Sequence, residues 1–170
     1  MTDLQKMFPS GTWCLEESVG YLLARCRTKL AKAIDAELTI RHDITHAQGS
    51  VLMMLSTGRY ATAADLVRDL FIDSASMTRM LDRLEKRALI VRIPSATDRR
   101  VFNLQLSDGG AALAEQLRPL YNEVLMRYFS DFSKDEVDTL KHLLRKLLDS
   151  ESTLAAGGQP AASSEGGQTS

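Results

Sequence analysis

The 170-residue chain has only two cysteines, no long apolar run and almost no net charge, −1 at neutral pH. Each shortage excludes something. Cys14 and Cys26 fall in a stretch that reads as one helix, roughly 18 Å apart along its axis, so they cannot bridge each other there. No segment is long and apolar enough to span a membrane. The first nine residues carry Asp3 and a single base, Lys6, with no apolar core like that of a signal peptide, so a cytoplasmic location is expected. There is no glycine-rich phosphate loop, no nucleophile elbow and no cluster of zinc ligands. Asp and Glu are abundant, but they fall on helix faces that read as solvated. Neither enzyme chemistry nor a bound cofactor is expected. His42 and His46 are four apart, yet Thr45 marks a helix start between them, so they share no helix face. No internal repeat is visible.

What is present concentrates between Thr62 and Leu106. Thr62 and Asp65 have capping-box spacing, and Ala63, Leu66, Val67 and Leu70 form one helical face behind them. Phe71-Ile72-Asp73 then reads as a turn, with Asp73 or Ser74 able to cap the next helix. In that helix Met77, Leu81, Leu84 and Ala88 would face a core. Ser76, Thr78, Arg79, Arg83 and Lys86 are left for solvent or a partner. Small hydroxyl residues near a helix start, followed by arginines, suit base edges and phosphates. Leu89–Ile93 and Val101–Leu106 are β-prone, and the segment between them is turn-rich and basic. Two helices, a tight turn and a basic hairpin are the sequence form of a winged helix-turn-helix, a shape suited to the grooves of duplex DNA.

The small net charge hides a local excess. From Ser74 to Arg100 seven basic side chains face three acidic ones, which leaves +4 there and −5 elsewhere. A basic face on an acidic body favours directed binding over general attraction to polyanions.

The run Thr78-Arg79, Leu81-Asp82-Arg83-Leu84-Glu85, then Arg92, Asp98-Arg99-Arg100 and Leu106-Ser107-Asp108-Gly109 resembles the DNA-binding core of the MarR family of transcriptional regulators. The resemblance extends from about Leu15 to Leu148. Ala88 stands where the family has glycine after the recognition helix, and Ser107 where it has threonine. The resemblance implies a repressor that binds a palindromic operator as an intertwined homodimer. It implies DNA contacts at Ser74, Ser76, Thr78, Arg79, Arg83 and Lys86 of the helix, at Thr62 before it, and at Arg92, Asp98, Arg99 and Arg100 of the wing. Arg100 would enter the minor groove while Asp98 orients an arginine; alternatively the pair simply closes the hairpin.

The remaining helices complete an α-α-α-α-β-β-α-α order, mainly α with a small β-hairpin. Leu15 to Leu38 carries apolar residues at 15, 19, 22, 26, 30, 34 and 38. Thr45 and Gln48, and Ser133 and Glu136, have capping-box spacing. Ser107 can cap a helix to about Tyr128, which Pro119 should bend. Leu140, Leu143, Leu144, Leu147 and Leu148 make one face of the last helix, too apolar to leave in water. Residues 1–44 and 107–153 are therefore expected to form a dimerisation region, 45–106 the DNA-binding domain and 154–170 a disordered tail.

The sensed signal is read from two helix-interior glycines. Gly20 and Gly49 each cost about 1 kcal/mol against alanine, so they mark either close backbone packing or missing side-chain volume. With Trp13, Ser18, Tyr21, Arg25, His46 and Ser50 nearby, the expectation is a pocket beside Gly49 for a small aromatic carboxylate or phenol. The alternatives are a regulator of the same fold that responds to thiol oxidation or to a metal. In the family's peroxide sensors the reactive cysteine precedes an aromatic-Leu-Leu run. Here Gly20 precedes Tyr21-Leu22-Leu23, and Cys26 in the apolar stripe reads as a core residue.

Overall fold

The computed structural model describes residues 14–96 and 101–157. A 3-10 turn (Leu15–Glu17) leads into α1 (Val19–His42), α2 (His46–Ser56), α3 (Ala63–Leu70) and α4 (Ser74–Lys86). The hairpin β1 (Ile90–Pro94) and β2 (Phe102–Leu106) follows, then α5 (Asp108–Tyr128) and α6 (Lys134–Gly157). This is a winged helix-turn-helix in the expected order. None of the described helices is long and apolar enough to cross a membrane.

Local chemistry starts every helix after the first where it was expected to. Thr45 and Thr62 each accept a hydrogen bond from the amide three residues on, and the side chains of Gln48 and Asp65 accept from the amides of Thr45 and Thr62. Asp73, rather than Ser74, caps α4: its carboxylate accepts from the Ser76 amide at 2.8 Å. The Ser107 hydroxyl accepts from the Gly110 amide at 3.0 Å. Glu136 accepts from the Ser133 amide at 2.7 Å and closes the last box.

The chain forms two compact units, residues up to Tyr128 and residues from Phe129 on. The core of the first unit joins Ile34 and Leu38 of α1, Val51, Leu52 and Leu55 of α2, and Leu66 of α3. Met77, Leu81 and Leu84 of α4, Ile90, Leu104, and Leu117, Leu120 and Val124 of α5 complete it. The DNA-reading elements and α1 thus share one core, so the expected division by role is not a division of the core. The hairpin pairs Ile90 with Leu106, Arg92 with Leu104 and Pro94 with Phe102. The Leu104 amide also donates to the Ala61 carbonyl at 2.7 Å, which ties the hairpin to the start of α3. Helix α5 runs through Pro119 without a break.

Five expectations change. The first helix starts at Val19, not Leu15, because residues 15–17 form the 3-10 turn and Ser18 is extended. Of its apolar stripe only Ile34 and Leu38 are buried; Leu15, Val19 and Leu22 are exposed. Cys26 is exposed among the described residues, not a core residue; the buried positions of α1, Ile34 and Leu38, lie in its C-terminal half. Ala88 is exposed and lies beyond α4, with φ 54°. It adopts the left-handed conformation that usually falls to glycine at a helix end, so it cannot extend the core face of α4. Finally, α6 continues to Gly157, so residues 154–157 are helical rather than tail, as Leu154, Ala155 and Ala156 favour. Residues 158–170 lie outside the described residues.

In the second unit Leu143, Leu144, Leu147 and Leu148 are exposed along α6.

Candidate nucleic-acid interface

The outer face of α4 is built by its inner face. Met77, Leu81 and Leu84 are fully buried and fix the helix by its apolar side. Ser74, Thr78, Arg79, Arg83 and Lys86 are left exposed, with Ser76 half-buried. The Arg79 guanidinium donates to the Ser76 hydroxyl at 2.9 Å, and the Thr78 hydroxyl to the Ser74 carbonyl at 2.9 Å. These groups sit in the first two turns, where the helix macrodipole is also positive. The Ser76 amide holds the Asp73 carboxyl below its ordinary range, so the cap stays ionised.

Two of the expected contacts are engaged inside the fold. Arg92 lies on the same face of the hairpin as Ile90 and Leu104, which turns it towards α4. Its guanidinium meets Asp82 at 2.7 Å and Glu85 at 3.4 Å. It clamps β1 to the recognition helix and pairs with both of that helix's acids, offsetting one of their two charges, while Arg79, Arg83 and Lys86 stay on the outer face. The Thr62 hydroxyl donates to Asp65 at 2.8 Å and accepts the Asp65 amide at 3.2 Å, so its only proton is committed to the cap. Asp98, Arg99 and Arg100 lie outside the described residues. A hollow of about 470 Å³ separates α3 and α4 from the hairpin, walled by Leu81, Val101, Phe102 and Leu104 and edged by Thr62, Thr78 and Arg92.

The expected ligand cluster does not form within the chain. Ser18, Tyr21 and Arg25 sit at the start of α1, where Arg25 donates to the Tyr21 hydroxyl at 3.1 Å. His46, Gly49 and Ser50 pack near the other end, where the His46 amide donates to Asp35 at 2.6 Å. The two groups are about 20 Å apart along α1. Trp13 lies outside the described residues. A β-carbon at Gly49 would come within 2.9 Å of Leu38 Cδ1 and 3.0 Å of the Tyr121 hydroxyl. It is a close-packing glycine between α1, α2 and α5. Gly20 faces open space, with only the Ser18 hydroxyl within 4 Å.

Sequence reasoning missed Tyr121. Its hydroxyl is buried and makes no hydrogen bond among the described residues. Burial pushes the phenol pKa up, and the nearby Ser50 hydroxyl offsets part of that shift while donating to the His46 carbonyl at 2.9 Å. Tyr121 opens on a hollow of about 500 Å³ lined by Ser50, Met53, Met54, Leu70, Arg118 and Asn122. Cys14 is exposed like Cys26, and neither lies between residues 45 and 106. No group of three or more His, Cys, Asp and Glu among the described residues is placed to hold a metal.

Residues 44–102, which span α2 to the hairpin, match the model of the MarR family. The multiple antibiotic resistance protein MarR of Escherichia coli is 37% identical over 107 residues, 62% of this chain and 74% of that protein. The chain belongs to the MarR family. Its fold agrees with solved MarR-family structures. A mutant of E. coli MarR complexed with operator DNA matches with a TM-score of 0.68 at 30% identity, covering 87% of this chain and 99% of that one. The S. aureus MepR–DNA complex matches with a TM-score of 0.66 at 26% identity, covering 78% and 97%. This MarR-family chain is a transcriptional regulator, not an enzyme.

Proposed function

We propose that this regulator represses transcription as a homodimer bound to a palindromic operator. The outer face of α4 lies in the major groove, with the tip at Asp98, Arg99 and Arg100 beside it in the minor groove. The carrying observation is the exposed row Ser74, Thr78, Arg79, Arg83 and Lys86 on a helix whose two acids are both paired with Arg92. E. coli MarR and MepR, both similar to this chain, have been solved on DNA. The uncovered leucines of α6 and the exposed start of α1 favour a second copy as their cover, and a two-fold dimer places two recognition helices about one helical turn apart. Arg79→Ala should cost about 1–3 kcal/mol of operator binding and relax base preference. Arg100→Ala should weaken all sequences alike and lower the salt slope by about one. Anisotropy titrations on a selected palindrome and a scrambled duplex measure both. Parent-like binding by both variants would refute the placement. Charged residues at Leu143 and Leu147 should abolish the dimer in sedimentation; a folded monomer that gives the same footprint would refute the assembly.

The same reading includes relief by a small aromatic carboxylate or phenol. The site it favours is the hollow lined by Tyr121, Met53, Met54 and Leu70, with Arg118 as its cation. Such a ligand acts only through unequal affinity for two dimer shapes. Benzoate- and phenol-type compounds should stabilise the parent by about 2.7 kcal/mol at a hundredfold excess over Kd. Arg118→Ala should lose that shift for the carboxylates. If none of these compounds raises the melting temperature, relief by this ligand class is wrong.

A further inference from the structure

Among the described residues, α4 and α1 are joined by hydrogen bonds at one place. Helix α1 ends at Asp43, whose φ of 52° turns the chain out of the helix. Arg87, the C-terminal cap residue of α4, reaches this end from 44 positions away. Its guanidinium donates through Nη1 to the Asp43 carbonyl and through Nη2 to the His42 carbonyl at 3.2 Å. The Asp43 carboxylate stands 3.8 Å from Nη1 and adds attraction. The cation also lies at the negative end of a 24-residue helix. Every other tie of α1 leads elsewhere. Asp35 accepts from the His46 amide of α2, while Arg41 pairs with Glu123 and Glu37 with Arg127 of α5.

Two carbonyls side by side need a planar fork of donors. Arginine supplies that fork; lysine offers a point charge instead. Arg79 and Arg83 turn their charges outward, whereas Arg87, itself partly exposed, is spent on backbone acceptors of the same chain.

We infer that Arg87 is a positioning residue through which the setting of α1 fixes the setting of the recognition helix, and so the half-site spacing the dimer accepts. This rests on the proposed dimer on a palindrome, in which the exposed part of α1 belongs to the interface. One inserted base pair moves a half-site by about 3.4 Å and rotates it around the duplex axis. A clamped helix cannot follow; a loosened one can.

The test uses the full chain, an operator selected from random duplexes, and versions of it with one base pair added or removed at the centre. The parent should lose about tenfold or more in Kd when the spacing changes. Arg87→Gln and Arg87→Lys should both bind the selected operator about tenfold more weakly and lose most of the spacing preference. Their salt slope should equal the parent's, because no phosphate contact is removed. If Arg87→Lys keeps parental affinity and spacing preference, or if the salt slope falls by about one in Arg87→Gln, Arg87 acts as a charge towards DNA and the inference is overturned. If Arg87→Gln does not fold, Arg87→Lys decides alone. If the parent itself shows no spacing preference, the dimeric reading of the operator fails, and the role of Arg87 fails with it.

Discussion

Gly110→Ala should damage this protein more than any other glycine-to-alanine change in the described helices. Gly110 is buried in the first turn of α5, against the end of the recognition segment. A β-carbon there would fall 1.8 Å from the Leu89 carbonyl oxygen and 2.8 Å from its carbon. Ordinary contact begins near 3.4 Å, so about 1.6 Å of separation is missing. The obstacle is backbone, and that carbonyl already accepts the Ser107 amide at 3.2 Å. No rotamer change relieves it. Overpacking of a core costs about 1–3 kcal/mol even where side chains can yield. Alanine returns about 1 kcal/mol through helix propensity. With a rigid obstacle and a threatened hydrogen bond, the net loss should be about 3 kcal/mol or more. That is a large share of a total stability of roughly 5–15 kcal/mol. For a chain of this size it lowers Tm by about 6–12 °C. Gly109→Ala is the control: its β-carbon would meet the Ala88 carbonyl at 3.6 Å, an ordinary contact. Urea and thermal unfolding followed by circular dichroism, at matched protein concentration, measure both. The reasoning is refuted if Gly110→Ala unfolds within about 0.5 kcal/mol of Gly109→Ala, a difference typical of surface changes.

Gly49→Val should destabilise by about 1–3 kcal/mol in urea unfolding, because Leu38 and Tyr121 occupy the space it needs. Gly20→Ala, in open space, should stabilise by up to about 1 kcal/mol in the same measurement. Arg92→Ala should cost no more than about 1 kcal/mol of stability, since its ion pairs are partly solvated, yet weaken operator binding by exposing Asp82 and Glu85 to phosphate. Unchanged operator affinity in anisotropy titrations would contradict that role. Burial lowers the His46 pKa, with Asp35 opposing and Arg27 adding to the effect. The folded state therefore prefers the neutral ring. Stability should be complete above the unfolded value of about 6.5 and fall as pH drops below it towards the folded pKa. His46→Asn should remove that part of the slope between pH 7 and 5 in Tm measurements.

What is legible in this sequence is what acts over a few residues. Thr45 with Gln48, Thr62 with Asp65 and Ser133 with Glu136 state their helix starts because a side chain three residues away supplies the missing partner. The period of Met77, Leu81 and Leu84 states which face of α4 is inward, and by subtraction which groups can meet DNA. Asp73 against Ser74 was a choice that spacing alone left open, and the 2.8 Å bond to the Ser76 amide settles it.

The sequence by itself determined the helices, the turn, the hairpin and the residue types on the outer face of α4, because each depends on neighbours along the chain. Only the tertiary structure decided which of those residues are free. Arg92 and Arg87 are both basic residues beside the recognition helix. One is held by Asp82 and Glu85, and the other by carbonyls more than 40 positions away. Gly49 and Gly20 both fall within helices. One is enclosed by Leu38 and Tyr121, and the other faces open space. The predicted ligand residues separated for the same reason: proximity in sequence along α1 and α2 says nothing about which end of a long helix a neighbour packs against. A partner chosen across the core depends on how helices cross, and that geometry is set by all of the buried side chains together.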